Sequence, residues 1–350
     1  MRLGLRRSRW GFVAATLACA SAFAACSSFE EDPVTPQPEA GVDAASERAP
    51  EDVLDAGTDT SSTDLDAGFG DDATTVLASG LTGLLALTVS DTQEVFVAST
   101  NGEIRKLPLI GGDGGTKVIR TEPNVTGIAA VGPRLMWATA GNKLGRCDFD
   151  GNFTIDRSDA PLIALTPADS NSIFTVKQGN EVRRYESTNL NTGEGYVTGP
   201  GIADVAVAST TLYWAESPSG TIWSGPTTAM VSATQLVTGE IGVNGIAADL
   251  FGVSWLTPTA VKGRATNQAP KVISNDKAVA IAARDGAVYW LANAPPGRLR
   301  KAELNDDVGP RQTLASGFPV DFKPSQKAIA LTPTFVVWIT SDGRVLRHPR

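Results

Sequence analysis

Residues 202–214 read IADVAVASTTLYW, and residues 278–290 read AVAIAARDGAVYW. Each stretch sets an Ala between two small or apolar residues, passes a short turn and reaches a Trp eight positions beyond that Ala. The triplet recurs as Leu85-Ala86-Leu87, Ile128-Ala129-Ala130, Ile163-Ala164-Leu165, Val205-Ala206-Val207, Ile246-Ala247-Ala248, Ile281-Ala282-Ala283 and Ile329-Ala330-Leu331. Five units carry the Trp: Trp137, Trp214, Trp255, Trp290 and Trp338. Units one and three carry Val95-Phe96-Val97 and Ile173-Phe174-Thr175 in its place, after a longer turn. A Gly-x-aliphatic segment with a base follows, as in Gly102-Glu103-Ile104-Arg105 and Gly297-Arg298-Leu299-Arg300. An apolar pair such as Val118-Ile119 or Leu236-Val237 closes most units.

Short apolar runs separated by Gly, Pro, Asn, Asp and Ser read as β-strands joined by turns, four to a unit. A four-stranded unit recurring every roughly 40 residues is the pattern of a β-propeller. The predicted fold is therefore all-β: a seven-bladed propeller over residues 73–350 with four antiparallel strands per blade. First strands crowd around the axis, which explains the repeated Ala. The Trp of the second strand suits the layer between blades. The last unit holds three strands, and Thr74-Thr75-Val76-Leu77-Ala78-Ser79 resembles a fourth. That N-terminal strand is expected to complete the last blade and remove an exposed sheet edge.

Leu212-Tyr213-Trp214-Ala215-Glu216 and Val288-Tyr289-Trp290, with the Gly-x-aliphatic-base segments, resemble the YWTD repeats of low-density-lipoprotein-receptor-type propellers. The Thr-Asp half of that motif is absent, and the family has six blades, so the resemblance implies architecture and no ligand.

The N-terminal region divides differently. Residues 1–25 combine Arg2, Arg6, Arg7 and Arg9 with an apolar run from Trp10 to Ala25, the build of a secretory signal. The run is shorter than the roughly 20 residues of a membrane-spanning helix. Phe23-Ala24-Ala25-Cys26 resembles the lipobox of bacterial lipoproteins. The resemblance implies that Cys26 is acylated, becomes the mature N-terminus and anchors the exported protein in the envelope, at the outer membrane. Residues 26–72 then form an acidic linker, with 14 acids against Arg48 alone over 27–72. Low hydrophobicity with high net charge predicts disorder, and 46 such residues span about 35–40 Å root-mean-square.

The whole 350-residue chain carries a net charge of −8, yet residues 73–350 hold 24 acids and 25 bases. The propeller is nearly neutral, so no nucleic-acid partner is expected. With one His and 3 Cys, little is available for thiol, His-base or His/Cys-metal chemistry. His348 stands alone near the end of the chain, and Cys147 has no evident activating base. Asp148-Phe149-Asp150-Gly151-Asn152 has oxygens for calcium but lacks the later Glu of an EF-hand, and a turn explains it better. Asn124, Asp204, Asn244 and Asp249 near the first strands form no recognisable metal set. The expectation is no catalytic residue, no cofactor and no metal. The domain is read as a non-enzymatic module that binds a protein or glycan. The ligand face is expected at the loops between blades and between second and third strands, with Asn101, Glu216, Asn244 and Asp342 as candidates. The alternatives are a propeller lyase or lactonase, and a structural subunit of an outer-membrane assembly complex.

Overall fold

The computed structural model describes residues 73–110, 115–158, 161–178, 180–228, 233–305, 311–323 and 327–350. The signal segment, Cys26 and the acidic linker lie outside the described residues.

A lone strand, β1 (Thr75–Ala78), precedes six four-stranded meanders. Blade one is β2 (Leu84–Val89), β3 (Glu94–Ser99), β4 (Glu103–Pro108) and β5 (Lys117–Thr121). Blade two is β6 (Val125–Val131), β7 (Arg134–Thr139), β8 (Lys143–Asp148) and β9 (Ile155–Ser158). Blade three is β10 (Leu162–Pro167), β11 (Ser172–Lys177), β12 (Glu181–Glu186) and β13 (Asn189–Thr198). Blade four is β14 (Ile202–Ala208), β15 (Thr211–Glu216), β16 (Thr221–Pro226) and β17 (Thr234–Val237). Blade five is β18 (Gly245–Asp249), β19 (Gly252–Leu256), β20 (Val261–Ala265) and β21 (Lys271–Ser274). Blade six is β22 (Ala278–Arg284), β23 (Ala287–Ala292), β24 (Gly297–Glu303) and β25 (Gln312–Phe318). Blade seven supplies β26 (Ile329–Leu331), β27 (Phe335–Ile339) and β28 (Val345–Pro349), and its fourth strand is β1.

First strands touch in the order β2, β6, β10, β14, β18, β22, β26 and back to β2, which closes the ring. The predicted seven-bladed propeller is therefore the observed fold. The predicted N-terminal latch is also present: Thr75 pairs with Arg347 and Val76 with Leu346, and the Leu81 amide donates to the Gly343 carbonyl at 3.0 Å.

The register of units one and three departs from the sequence reading. Trp137, Trp290 and Trp338 stand opposite Ile128, Ile281 and Ile329. In blade one the pair in that place is Leu87 with Val97, and in blade three it is Leu165 with Thr175. The true equivalents of the repeated triplet there begin at Leu87 and Leu165, two residues later than read. A slip of two leaves every side chain on its own face, so the alternating pattern cannot detect it. Phe96 and Phe174 consequently do not replace the Trp. They face the next blade: Phe96 shares a buried cluster with Trp137, and Phe174 with Trp214.

Each Trp packs onto the preceding blade, as Trp290 does with Leu256 and Val261. Trp137 also packs against Gly145, where an added Cβ would stand 2.2 Å from the indole Cε2 and 2.3 Å from Cζ2. Both groups sit in a buried layer that cannot expand. Gly145→Ala is expected to cost about 1–3 kcal/mol, read as a lower urea midpoint with an unchanged slope. Arginines tie blades together at outer strands: Arg264 donates to the Leu236 carbonyl at 2.8 Å, and Arg311 to the Ile273 carbonyl at 2.6 Å.

Candidate functional site

In an antiparallel meander the links between blades and the turns between second and third strands share one end, here called the upper face. Turns between first and second, and between third and fourth, strands share the lower face. The chain enters β1 at the lower face, because Thr75 pairs near the end of β28.

Among the described residues five first strands carry a β-bulge near their upper end, between Leu84/Ala86, Val125/Gly127, Leu162/Ala164, Ile202/Asp204 and Ala278/Ala280. A bulge adds one residue and turns the strand. The residue after it is Ala86, Gly127, Ala164 and Ala280 in four of these blades, with Gly245 and Ala328 at the matching places of blades five and seven. In blade four it is Asp204, a carboxylate where every other blade has Ala or Gly.

Asp204 is 1% exposed. Its Oδ1 accepts the Val205 amide at 2.8 Å, and its Oδ2 accepts the Ile246 amide of blade five at 3.0 Å. Lys327 of blade seven donates its Nζ to the same Oδ2 at 2.6 Å. Two blades separate these residues one way round the ring and three the other way, so the lysine crosses the axial opening. The charge is thus removed from water but carries three donors, the condition for a buried carboxylate to persist. Polar side chains also satisfy backbone edges around the axis. Thr126 Oγ1 donates to the Leu162 carbonyl at 2.8 Å, and Thr88 Oγ1 accepts the Ala130 amide at 3.2 Å.

The four sequence candidates all lie at the upper face, in two adjacent-blade pairs. Asn101 and Asp342 belong to blades one and seven, and both are occupied by their own turns. Asn101 Oδ1 accepts the Ser99 hydroxyl at 2.5 Å and the Glu103 amide at 3.1 Å. Asp342 accepts the Thr340 hydroxyl, and Arg344 through its Nε at 3.1 Å. Asn101 also lines a polar cleft of about 200 Å³ with Thr82, Glu103 and Arg105. Glu216 and Asn244 belong to blades four and five. Glu216 is buried and accepts the Ser219 hydroxyl at 3.2 Å. The Asn244 side-chain oxygen is buried without a partner among the described residues.

Sequence reasoning missed Lys327 and left Asp204 as one polar position among several. The signal was available: aligned in their true register, seven first strands show one acid at a place otherwise confined to Ala and Gly. Asn124 contributes its carbonyl to the Ala140 amide at 2.9 Å. Asp249 lies at the lower face, where it accepts the Gly286 amide of blade six at 2.6 Å.

The remaining chemistry is structural. Cys147 is buried, and burial pushes its thiol up to about 12, so it is no thiolate nucleophile near neutral pH. The Asp148 carboxylate caps its turn, accepting the Asp150 and Asn152 amides at 3.0 and 2.7 Å. Among the described residues no group of three His, Cys, Asp or Glu side chains is placed to hold a metal ion. Beneath the upper face, Asp276 gathers Trp290 Nε1 at 2.8 Å, the Ser274 hydroxyl at 2.7 Å and Arg300 at 3.1 Å. Burial pushes its carboxyl up, but these hydrogen bonds and the Arg300 charge outweigh burial and hold it below its ordinary value. A depressed carboxyl contributes stability above its unfolded value and loses it as pH falls through the folded value. The difference in urea midpoint between wild type and Asp276→Asn is therefore expected to be full at pH 5 and to shrink towards pH 2.

No family model matches the chain, and no curated protein matches it. Solved structures do. A streptogramin B lyase superposes with a TM-score of 0.59 at 13% identity, covering 78% of this chain and 95% of its own. U3-55K gives 0.64 at 12% identity, over 80% and 99%. YCF48 from Cyanidioschyzon merolae gives 0.59 at 11%, over 79% and 98%. At such identities the likeness establishes the propeller fold alone, and the lyase's activity does not transfer with it.

Proposed function

We propose that this protein is an exported envelope protein, lipid-anchored through Cys26, whose propeller is a non-enzymatic module that binds a protein or glycan at its upper face. The observation that carries the reading is the state of Asp204. The alternative of a lyase or lactonase calls for carboxylates converging at the axis and free to act on substrate as general acid or base. Here the axial carboxylate is held by Lys327 and two backbone amides. The loops of the upper face are then left to make contacts. The point of chain entry supports this face, since an anchor ahead of β1 joins at the opposite end. The near-neutral charge of residues 73–350 favours a partner recognised by hydrogen bonds and shape rather than by long-range attraction.

The test has two arms. Cells expressing wild type and Cys26→Ser are labelled with palmitate and fractionated. Wild type is expected in the membrane carrying label, and the variant in the soluble fraction without it. Membrane retention of an unlabelled variant would overturn the anchor. Mature wild-type protein and a Glu216→Ala/Asn244→Ala variant are then used to capture envelope proteins and glycans. The reading requires a ligand retained by wild type and reduced about tenfold in the variant; equal retention by both would move the binding face elsewhere.

A further inference from the structure

Two guanidiniums at the lower face of blade two share one residue of blade three. Arg134 stands opposite Asp148 and Met136 opposite Arg146, so the two arginines are diagonal neighbours on one face of the β7–β8 pair. Arg134 donates to the Ser187 hydroxyl at 3.3 Å, and Arg146 donates to the Ser187 carbonyl. The inter-blade bonds of Arg264 and Arg311 run the other way, back to the preceding blade, and use one guanidinium each. The second cation here is surplus to the latch.

Neither arginine forms an ion pair among the described residues. The nearest acid on the strand pair, Asp148, has Oδ1 taken by two turn amides and Oδ2 by the Asn152 side-chain amide at 3.3 Å. Burial first, and then the charge of Arg134, pull the Arg146 guanidinium below its ordinary value. These are two like charges held together beside a single acid, Asp148, whose oxygens are engaged by its own turn and which forms no ion pair with either of them among the described residues.

The arginines open onto a cleft of about 370 Å³, lined besides them by Pro133, Cys147, Asp148, Phe153 and Ile155. Phe153 is 87% exposed. Its φ is +54°, a left-handed conformation that bulky side chains rarely adopt. The Asp148-capped turn places this aromatic ring in solvent beside the paired cations.

We propose that this cleft binds a small oxyanion, phosphate or carboxylate, that carries an aromatic or alkyl group. The guanidiniums take the oxyanion in the forked geometry that arginine offers to such groups. Pro133, Phe153 and Ile155 cover the apolar part, the usual division of labour in a small-molecule site. The site lies at the lower face and is independent of the binding face proposed above.

The test is calorimetric titration of the folded protein with phenyl phosphate, benzoate and inorganic phosphate. Phenyl phosphate or benzoate is expected to bind at least about tenfold more tightly than inorganic phosphate, and the tighter of the two identifies the oxyanion. Arg134→Gln is expected to weaken that probe about tenfold or more, while Arg146 keeps the Ser187 latch and the melting temperature. Phe153→Ser is expected to weaken the aromatic probes about threefold and to leave inorganic phosphate unchanged. The proposal is overturned if neither aromatic probe binds below about 10 mM, if inorganic phosphate binds as well as they do, or if the Arg134 variant binds them like wild type.

Discussion

Lys327→Met is expected to destabilise the propeller by about 3 kcal/mol, because it leaves the buried Asp204 carboxylate without the one cation that pairs with it among the described residues. The two amides that Asp204 accepts would remain, and Lys327 itself is 27% exposed, so the lower end of the range for broken buried pairs applies. For a domain of this size the loss corresponds to a fall in melting temperature of roughly 6–10 °C. The decisive comparison is the double variant Asp204→Ala/Lys327→Met. Ala is the residue that blades one, three, six and seven hold at the equivalent place, so the backbone and space there accept it. With the charge gone, the unpaired ion disappears, and only the Val205 and Ile246 amides lose an acceptor. The double variant is expected to recover much of the loss, giving a coupling of about 2 kcal/mol in a double-mutant cycle. Additive single effects would mean that the lysine does not neutralise the acid.

Deleting the chain through Ala78 is expected to have the largest effect of all. Strand β1 covers the edge of β28 and buries Leu77 and Ala78 in the cluster that includes Trp338, Val345 and Leu346. Removing it uncovers this apolar layer together with a row of unpaired backbone groups, a template for pairing with other chains. Losing one buried Leu alone costs about 2–5 kcal/mol, and the ladder hydrogen bonds are lost as well. The sum approaches the whole stability of a typical domain, about 5–15 kcal/mol. The truncated protein is expected to elute as aggregate and to melt without a cooperative transition. A monomer with an unchanged melting temperature would show that the ring closes without its latch.

The sequence by itself determined the repeat, the number of blades, the all-β class and the strand exchange that closes blade seven. Those properties follow from period-two alternation, turn residues and recurring Ala and Trp, all local signals. It also marked Asp148–Asn152 as a turn, and the structure shows Asp148 accepting the Asp150 and Asn152 amides there. Register in blades one and three was decided only by the folded structure, since a shift of two residues conserves which face each side chain takes. The same slip hid Asp204 as the exception among Ala and Gly. Its partner was hidden for a different reason. Lys327 lies 123 residues away in sequence and meets Asp204 because closure of the ring sets blades four and seven on opposite sides of one axis. No local pattern encodes such a pair: it is created by closure, as is the convergence of Arg134 and Arg146 on Ser187 of the neighbouring blade.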